Sequence, residues 1–390
     1  MMPDRSAGIE QPLVAELLRV RILEAPLTSV VPMSFSSLRA RRVCLVEVHA
    51  DGAVGVGESW INYPDWVVSE RIATLSEGVA GVLLGSDVRD PSASLRRLSA
   101  ALLPLGRQWG APGPIWQAIS GVELALWDLA GKVTSRAVAE LLANGTPRST
   151  VPAYASGVGP TDVEVLCERA LSLGLGAIKV KLGFGYETDA ETLRTARDVC
   201  GDDIRLLADA NQAWDLATAI DMSTVLKAHR VEWIEEPLAG NAVADLEEFA
   251  ERTGLPVATG ENVYGLDAFA EYVQSPAVRQ VQPDVSKTGG LAVAAAVADF
   301  AAEAGVGVSP HCYGGALCLA ASVHLGGAFD QVDWVELDVR DNPLRSDLLS
   351  SPLVVRDGVV QVPTHAGLAG ELDPDVVRQY QVYQADRKRP

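Results

Sequence analysis

The chain lacks any pair of cysteines spaced as CxxC. Its five cysteines, Cys44, Cys167, Cys200, Cys312 and Cys318, are odd in number and scattered. That pattern reads as a reduced, mostly buried thiol set, and it argues against a disulfide frame or a zinc knuckle. Positive charge is also scarce. The 390 residues carry 32 Lys and Arg against 51 Asp and Glu, a net charge of −19. A chain of that sign repels nucleic-acid phosphates and anionic membrane surfaces, so neither is expected as a partner. There is no long uninterrupted apolar run. The most apolar stretch, "LAVAAAVADFAAEAGVGV", is broken by Asp299 and Glu303 and reads as a buried helix, not a membrane span. The opening "MMPDRSAGIEQ" has no apolar core of a signal peptide, so a cytoplasmic location is expected. No Gly-rich phosphate loop stands out. "GVGES" at 55–59 is a lone short match, expected to be a hairpin turn, and "HCYGGALC" more plausibly opens a helix at Gly314-Gly315.

What is present is a globular composition, 48% hydrophobic and 21% charged, at a length that suits two domains. From about Val151 the sequence is periodic. Short β-type runs recur as "VPAYAS", "AIKVKL", "IRLLAD", "VEWIEE", "LPVATG", "VRQVQP", "GVGVSP" and "VDWVEL". Amphipathic helical segments such as "ETLRTARDV" and "VADLEEFAERT" lie between them. Gly254 and Pro256 mark one helix stop and the next strand start. Eight strands alternating with helices predict an α/β fold, a modified TIM barrel of (β/α)7β type, with a doubly wound sheet as the alternative.

Residues 1–150 read differently, as an α+β capping domain. Two antiparallel strands turn at Asp51-Gly52, and three helical segments follow. The expected division is a capping domain at 1–150, a barrel at 151–350, and a C-terminal segment at 351–390 that packs back on the capping domain. That last segment is expected to contain a hairpin at Asp357-Gly358.

In a parallel barrel the C-terminal strand ends converge on one mouth. Reading those ends in order gives Lys179 and Lys181, then Asp209 and Asn211, Glu235, Glu261, Asp284, His311 and Glu336. Lys179 and Lys181 are two apart and point to the same side of their strand. Twenty-six residues separate Asp209 from Glu235, and again Glu235 from Glu261. One carboxylate at the same point of three successive units predicts a cation among them. All-oxygen ligation favours Mg²⁺, with Mn²⁺ as the other choice, over zinc. His311 lies one barrel unit after Asp284, so the aspartate can accept from its imidazole and raise its basicity. The other four histidines, His49, His229, His324 and His365, read as structural.

These residues resemble the enolase superfamily, in particular its mandelate racemase/muconate lactonizing enzyme-like members. The resemblance rests on "KVK" at 179–181, "DANQAWD" at 209–215, "WIEEPL" at 233–238, "TGEN" at 259–262, "QPDVSKTGGL" at 282–291 and "SPHC" at 309–312. It covers roughly residues 40–370. Aligned on the Lys-Thr-Gly-Gly turn, the muconate lactonizing-like members place a catalytic lysine where this chain has Asp284. With His311 following, the arrangement is the mandelate racemase-like one, and Lys287 becomes a supporting residue. The resemblance implies metal ligation by Asp209, Glu235 and Glu261. It implies abstraction of the proton α to a carboxylate through an ene-diolate, with Lys179, Lys181, Asp284, His311 and Glu336 as the catalytic set. On this reading Lys181 needs a lowered pKa to act as base, and Glu336, if protonated, donates to the substrate carboxylate.

Lys181 and His311 are expected to face opposite sides of the substrate. That supports two outcomes, a sugar-acid dehydratase giving a 2-keto-3-deoxy acid, favoured by the resemblance, or a racemase/epimerase. A non-catalytic barrel is a minor third. Specificity is expected in two capping loops, 27–42 and 58–66. Ser34, Ser36 and Ser37 are candidates for hydroxyls, Arg39 for a distal carboxylate, and Trp60, Tyr63 and Trp66 for the pocket wall, with Asn211 at the barrel side. A small-molecule carboxylate substrate and a homo-oligomer are the expected partners.

Overall fold

A computed structural model describes residues 7–389. Residues 1–6, part of the opening on which the signal-peptide reading turned, lie outside the described residues. Three long strands open the fold: β1 (Ala15–Met33), β2 (Ser36–Ala50) and β3 (Ala53–Ser59). They pair antiparallel, and β2 turns into β3 at Asp51-Gly52, both with positive φ. Glycine suits that turn because it has no Cβ to clash. "GVGES" is strand, not the turn itself. Its Gly55 and Gly57 let β3 approach the backbone of a helix so closely that a Cβ at either would have no room.

That helix is α4. It follows α1 (Val67–Ala73), α2 (Ala80–Leu83) and α3 (Pro91–Trp109), runs from Pro112 to Thr134, and is buried on nearly every side. The short α5 (Val138–Leu142) then leads into the barrel.

The eight expected strands are all present: β4 (Thr150–Val158), β5 (Ala177–Lys181), β6 (Arg205–Asp209), β7 (Val231–Glu235), β8 (Val257–Thr259), β9 (Val278–Val281), β10 (Gly307–Val308) and β11 (Val335–Asp338). Between them run α6 (Val163–Ser172), α7 (Tyr186–Cys200), α8 (Leu216–Ala228), α9 (Val243–Thr253), α10 (Leu266–Gln274), α11 (Gly290–Ala304) and α12 (Ala316–Ala328). Strands β4 to β10 pair in parallel in sequence order, β11 pairs with β4, and a Val308–Val332 bridge closes the ring. The apolar helix predicted from "LAVAAAVADFAAEAGVGV" is α11, buried along most of its length. No helix among the described residues is long and apolar enough to cross a membrane.

The C-terminal segment divides its loyalties. The expected hairpin forms as β12 (Val355–Arg356) and β13 (Val359–Gln361), but β13 joins the barrel's sheet at β4 instead of the capping sheet. The piece that returns to the capping sheet is β14 (Gln381–Lys388), which pairs with β1.

Two buried carboxylates hold the capping domain over the barrel mouth. Glu123 of α4 accepts from Leu291 N at 2.8 Å and Ala292 N at 2.9 Å, capping α11. Glu58 of β3 accepts from Gly315 N at 2.6 Å and Cys318 N at 3.0 Å, capping α12. An anion at a helix N-terminus satisfies free N–H groups and meets the positive end of the helix dipole. Burial still pushes each carboxyl up to about 7. These two helices start just after Asp284 and His311, so the caps also fix where those side chains emerge.

Candidate active site

Each strand-end residue picked from the sequence reaches the barrel mouth, and almost all are buried. The three carboxylates form a row, each facing a cation of the chain. Lys181 donates to Asp209 and, at 3.1 Å, to Asn211 Oδ1. Lys179 donates to Glu235 Oε2 at 2.6 Å and lies 2.9 Å from Glu336 Oε1. His311 Nε2 lies 2.8 Å from Glu261 Oε2. Lys181 therefore stands at one end of the row, Lys179 in the middle and His311 at the other end. The β5–β6–β7–β8 pairing order sets this arrangement, because adjacent parallel strands bring successive strand ends side by side.

The Asp284–His311 pair forms as the spacing predicts. Nδ1 of His311 lies 2.7 Å from Asp284 Oδ2. The other carboxylate oxygen accepts from Ser286 N and Oγ at 2.7 and 2.6 Å, so Asp284 is held from both sides. Burial alone would lower the His311 pKa, but Glu261, Glu336 and Asp284 outweigh it and hold the imidazole well above its ordinary value.

Two protonation expectations meet opposing charges in the arrangement of the chain's own side chains. Lys181 was expected to have a lowered pKa. Burial is the largest influence and lowers it, as does the neighbouring Lys179, but the Asp209, Glu235 and Glu261 carboxylates together outweigh them, and the ammonium is raised above its ordinary value. Glu336 was expected to donate a proton. Burial raises its pKa, yet Lys179, His311 and Lys181 together push it down to about 2, and it accepts from Cys312 N at 2.9 Å. It is an ionised acceptor that anchors Lys179.

Whether a metal fits can be tested on the donors themselves. The set is three carboxylates, the oxygen donors that hard divalent cations take. Glu235 Oε1 is buried with no hydrogen-bond partner, so one lone-pair direction in the row is unused. Burial and the nearby Asp209 raise the Glu235 carboxyl to about 7, the mark of an acid short of positive charge. As they stand, the carboxylates turn to their separate cations, and no group of three His, Cys, Asp or Glu among the described residues is gathered into a compact metal cluster. The residues fit a divalent ion in donor chemistry and in their order along adjacent strand ends, with the lysines and His311 as its competitors for their oxygens.

Against the Glu261 end of the row lies a cavity of about 420 Å³, with Glu261 in its wall. Asn211, Trp60 and Tyr63 line it, as the sequence suggested. Trp60 stands edge-on to His311, with ring centroids 5.9 Å apart. Arg71, fully buried, holds the loop there by donating to the Trp60 carbonyl at 2.7 Å and to Gln117 Oε1 at 2.6 Å. The other candidates are placed elsewhere. Ser36 and Arg39 are exposed, and Ser34 is half-buried; none of the three lines the cavity. Trp66 is 76% exposed. Residues not singled out do line it: Phe35, Gln117, Gln212, Glu236 and Asn262, with Lys287. Gln212, Glu236 and Asn262 sit inside the quoted motifs, so proximity to a ligand position was their signal. Gln117, on α4, had none.

Known proteins resemble the chain along nearly its whole length. The family model for the mandelate racemase/muconate lactonizing enzyme N-terminal domain matches residues 18–143, and the enolase C-terminal domain-like model matches residues 162–376. D-galactarolactone cycloisomerase of Agrobacterium fabrum is 30% identical, over 94% of this chain and 98% of its own. L-talarate/galactarate dehydratase of Salmonella typhimurium is 31% identical, over 89% of this chain and 85% of its own. The crystal structure of L-talarate dehydratase from Polaromonas, complexed with Mg and L-glucarate, superposes with a TM-score of 0.80 at 26% identity, covering 96% of this chain and 99% of that one.

Proposed function

Because the chain belongs to the mandelate racemase/muconate lactonizing enzyme family of the enolase superfamily, we propose that it abstracts the proton α to a carboxylate and dehydrates a sugar acid to a 2-keto-3-deoxy acid. The observation that carries this reading is the row itself: Lys181 at one end, His311 at the other, and a buried cation, Lys179, between them. A substrate carboxylate placed over Lys179 has a base candidate on each flank.

Asp209, Glu235 and Glu261 would hold Mg²⁺. When bound there, the ion supplies Lewis-acid stabilisation of the negative charge that develops on the substrate carboxylate. Lys179 adds a fixed positive charge to the same end, positioned before the reaction by Glu235 and Glu336. Lys181, once it has released its ammonium proton to solvent, takes the proton at C2 and becomes the ammonium again. Asp284 fixes the proton on His311 Nδ1, which leaves Nε2 as the nitrogen that gives or takes a proton. Delivered to a β-hydroxyl, that proton lets water leave. The enol product then tautomerises to the keto acid.

Racemisation or epimerisation needs the same two flanks, so the Lys181–His311 pair favours it as well. The cavity supports a hydroxylated acid as substrate. Its amide, ammonium and carboxylate lining is matched to hydroxyls, and a sugar acid supplies them. The chain, supplied with Mg²⁺, should be screened against four- to six-carbon mono- and diacid sugars and their lactones, with semicarbazide to trap keto acid. The expected result is keto-acid formation from at least one sugar acid, abolished by EDTA and restored by added Mg²⁺. Inversion at C2 without any keto acid would favour the racemase.

A further inference from the structure

Three lysines are buried at the barrel mouth, and two are engaged by carboxylates. Lys287 is the third, and it differs. It is 3% exposed, yet among the described residues no carboxylate lies within ion-pair distance of its ammonium. Its hydrogen bond goes to Asn262 Oδ1 at 2.8 Å, and it sits 4.7 Å from the centre of the Trp60 ring. An ammonium has three donors, so two remain, and Lys287 lines the cavity. Burial lowers its pKa, but Glu261, Asp284 and Glu236 outweigh burial and keep it charged, so what the site leaves open is the two unused donors.

We propose that Lys287, with Asn262, Gln212 and the face of Trp60, is a subsite for the hydroxyl-bearing carbon chain of the substrate beyond the reacting carbons. This inference rests on the sugar-acid reading. Placement supports it. Lys287 follows Asp284 on the turn after β9, and the Trp60 ring that it contacts also meets His311. A substrate held by its carboxylate near Lys179 meets Lys287 with the atoms farther along its chain. The surrounding chemistry supports it too. Gln212 Nε2 donates to Glu236 Oε2 at 2.9 Å, and Asn262 Nδ2 donates to both Glu236 oxygens at 3.2 and 3.1 Å. Asn262 is committed to Glu236, Glu261 and Lys287, so the wall's donors are the Lys287 ammonium and the second N–H of Gln212 Nε2, beside an acceptor carboxylate. A hydroxyl donates and accepts at once, so it matches a mixed wall. The ammonium over the Trp60 ring stays in place through its attraction to the ring, with its unused donors left for a ligand. An acid that ends in a plain apolar group would leave the ammonium unmatched, which is the kind of site that rejects the wrong substrate strongly.

The test compares the six-carbon sugar acid found in the screen with glycerate, which has the same reacting atoms and no chain beyond them. The full chain, loaded with Mg²⁺, is assayed on both, and the ratio of kcat/KM values is read. Lys287→Met should lower the ratio by roughly 10- to 100-fold, mostly through KM, as expected for loss of a hydrogen bond to a charged group. Lys287→Arg should recover part of it. A ratio unchanged in Lys287→Met, with both substrates falling together, overturns the proposal. Should that variant not fold, Gln212→Leu carries the same test: the ratio must fall at least about fivefold, and an unchanged ratio overturns the subsite. If the wild-type chain turns over no sugar acid but inverts mandelate, the functional reading itself fails and the subsite falls with it. Turnover of sugar acids with no preference for the longer chain leaves the functional reading standing and rejects only the subsite.

Discussion

Replacing His311 by asparagine is expected to lower kcat on the true substrate by about 10²- to 10⁴-fold, the usual range for removing a general acid–base group. KM should change little. The argument is local. An asparagine amide can still donate to Asp284, which keeps its own hydrogen bonds from Ser286. The neighbouring Cys312 N still donates to Glu336. What asparagine lacks is a nitrogen that exchanges a proton near neutral pH. The loss should therefore appear in kcat, with at most a modest fall in melting temperature, because Glu261 gives up its contact with His311 but keeps the donor Asn262 Nδ2 at 3.0 Å. Full activity in this variant would remove His311 from the chemistry and leave its contact with Asp284 as a structural one.

Lys181→Met is expected to lower turnover by at least as much, and it carries a second readout. Methionine keeps most of the stem and removes the ammonium. Asp209 then loses a cation but keeps the backbone donor Asn211 N at 2.8 Å. If Asp209 is a metal ligand, removing its competitor should leave Mg²⁺ affinity equal or tighter when followed by calorimetric titration. A variant that lost both turnover and Mg²⁺ binding would mean that Lys181 organises the site instead of acting as its base. The same competition bears on the charge state of Lys181. Its raised pKa belongs to an ion pair with Asp209, and a partner that draws Asp209 away would remove that support.

The architecture was legible because a barrel writes its period into the chain. Asp209, Glu235 and Glu261 recur at one interval, and the fold sets them on adjacent strand ends. Asp284 and His311 were legible for the same reason, and their 2.7 Å contact follows from neighbouring strands. The Asp357-Gly358 turn was legible too, since turn chemistry is local, and both residues have positive φ. What its strands pair with was not, because pairing with β4 is a tertiary event. The charge states of Lys181 and Glu336 were hidden for a similar reason. Each depends on which opposite charge lies within a few ångströms, and side-chain direction is not in the periodicity. The capping loops were the least legible part. Ser36 and Arg39 have the right chemistry on a flagged loop, but the backbone turns them outward and brings Phe35 in. Gln117 enters from α4, where nothing but packing recommends it. The segment "QPDVSKTGGL" divides into two parts. Asp284 serves His311, and Lys287 turns to the cavity, facing Trp60.

The central claim is that the C2 proton is removed to a base of the chain beside the substrate carboxylate. It is tested most directly by running the Mg²⁺-loaded enzyme on its sugar acid in D₂O and following the reaction by proton NMR. The account predicts a 2-keto-3-deoxy acid that has lost the substrate's C2 proton to solvent and carries deuterium at C3. A product that retains the original C2 proton, or turnover that persists unchanged in EDTA, would contradict it.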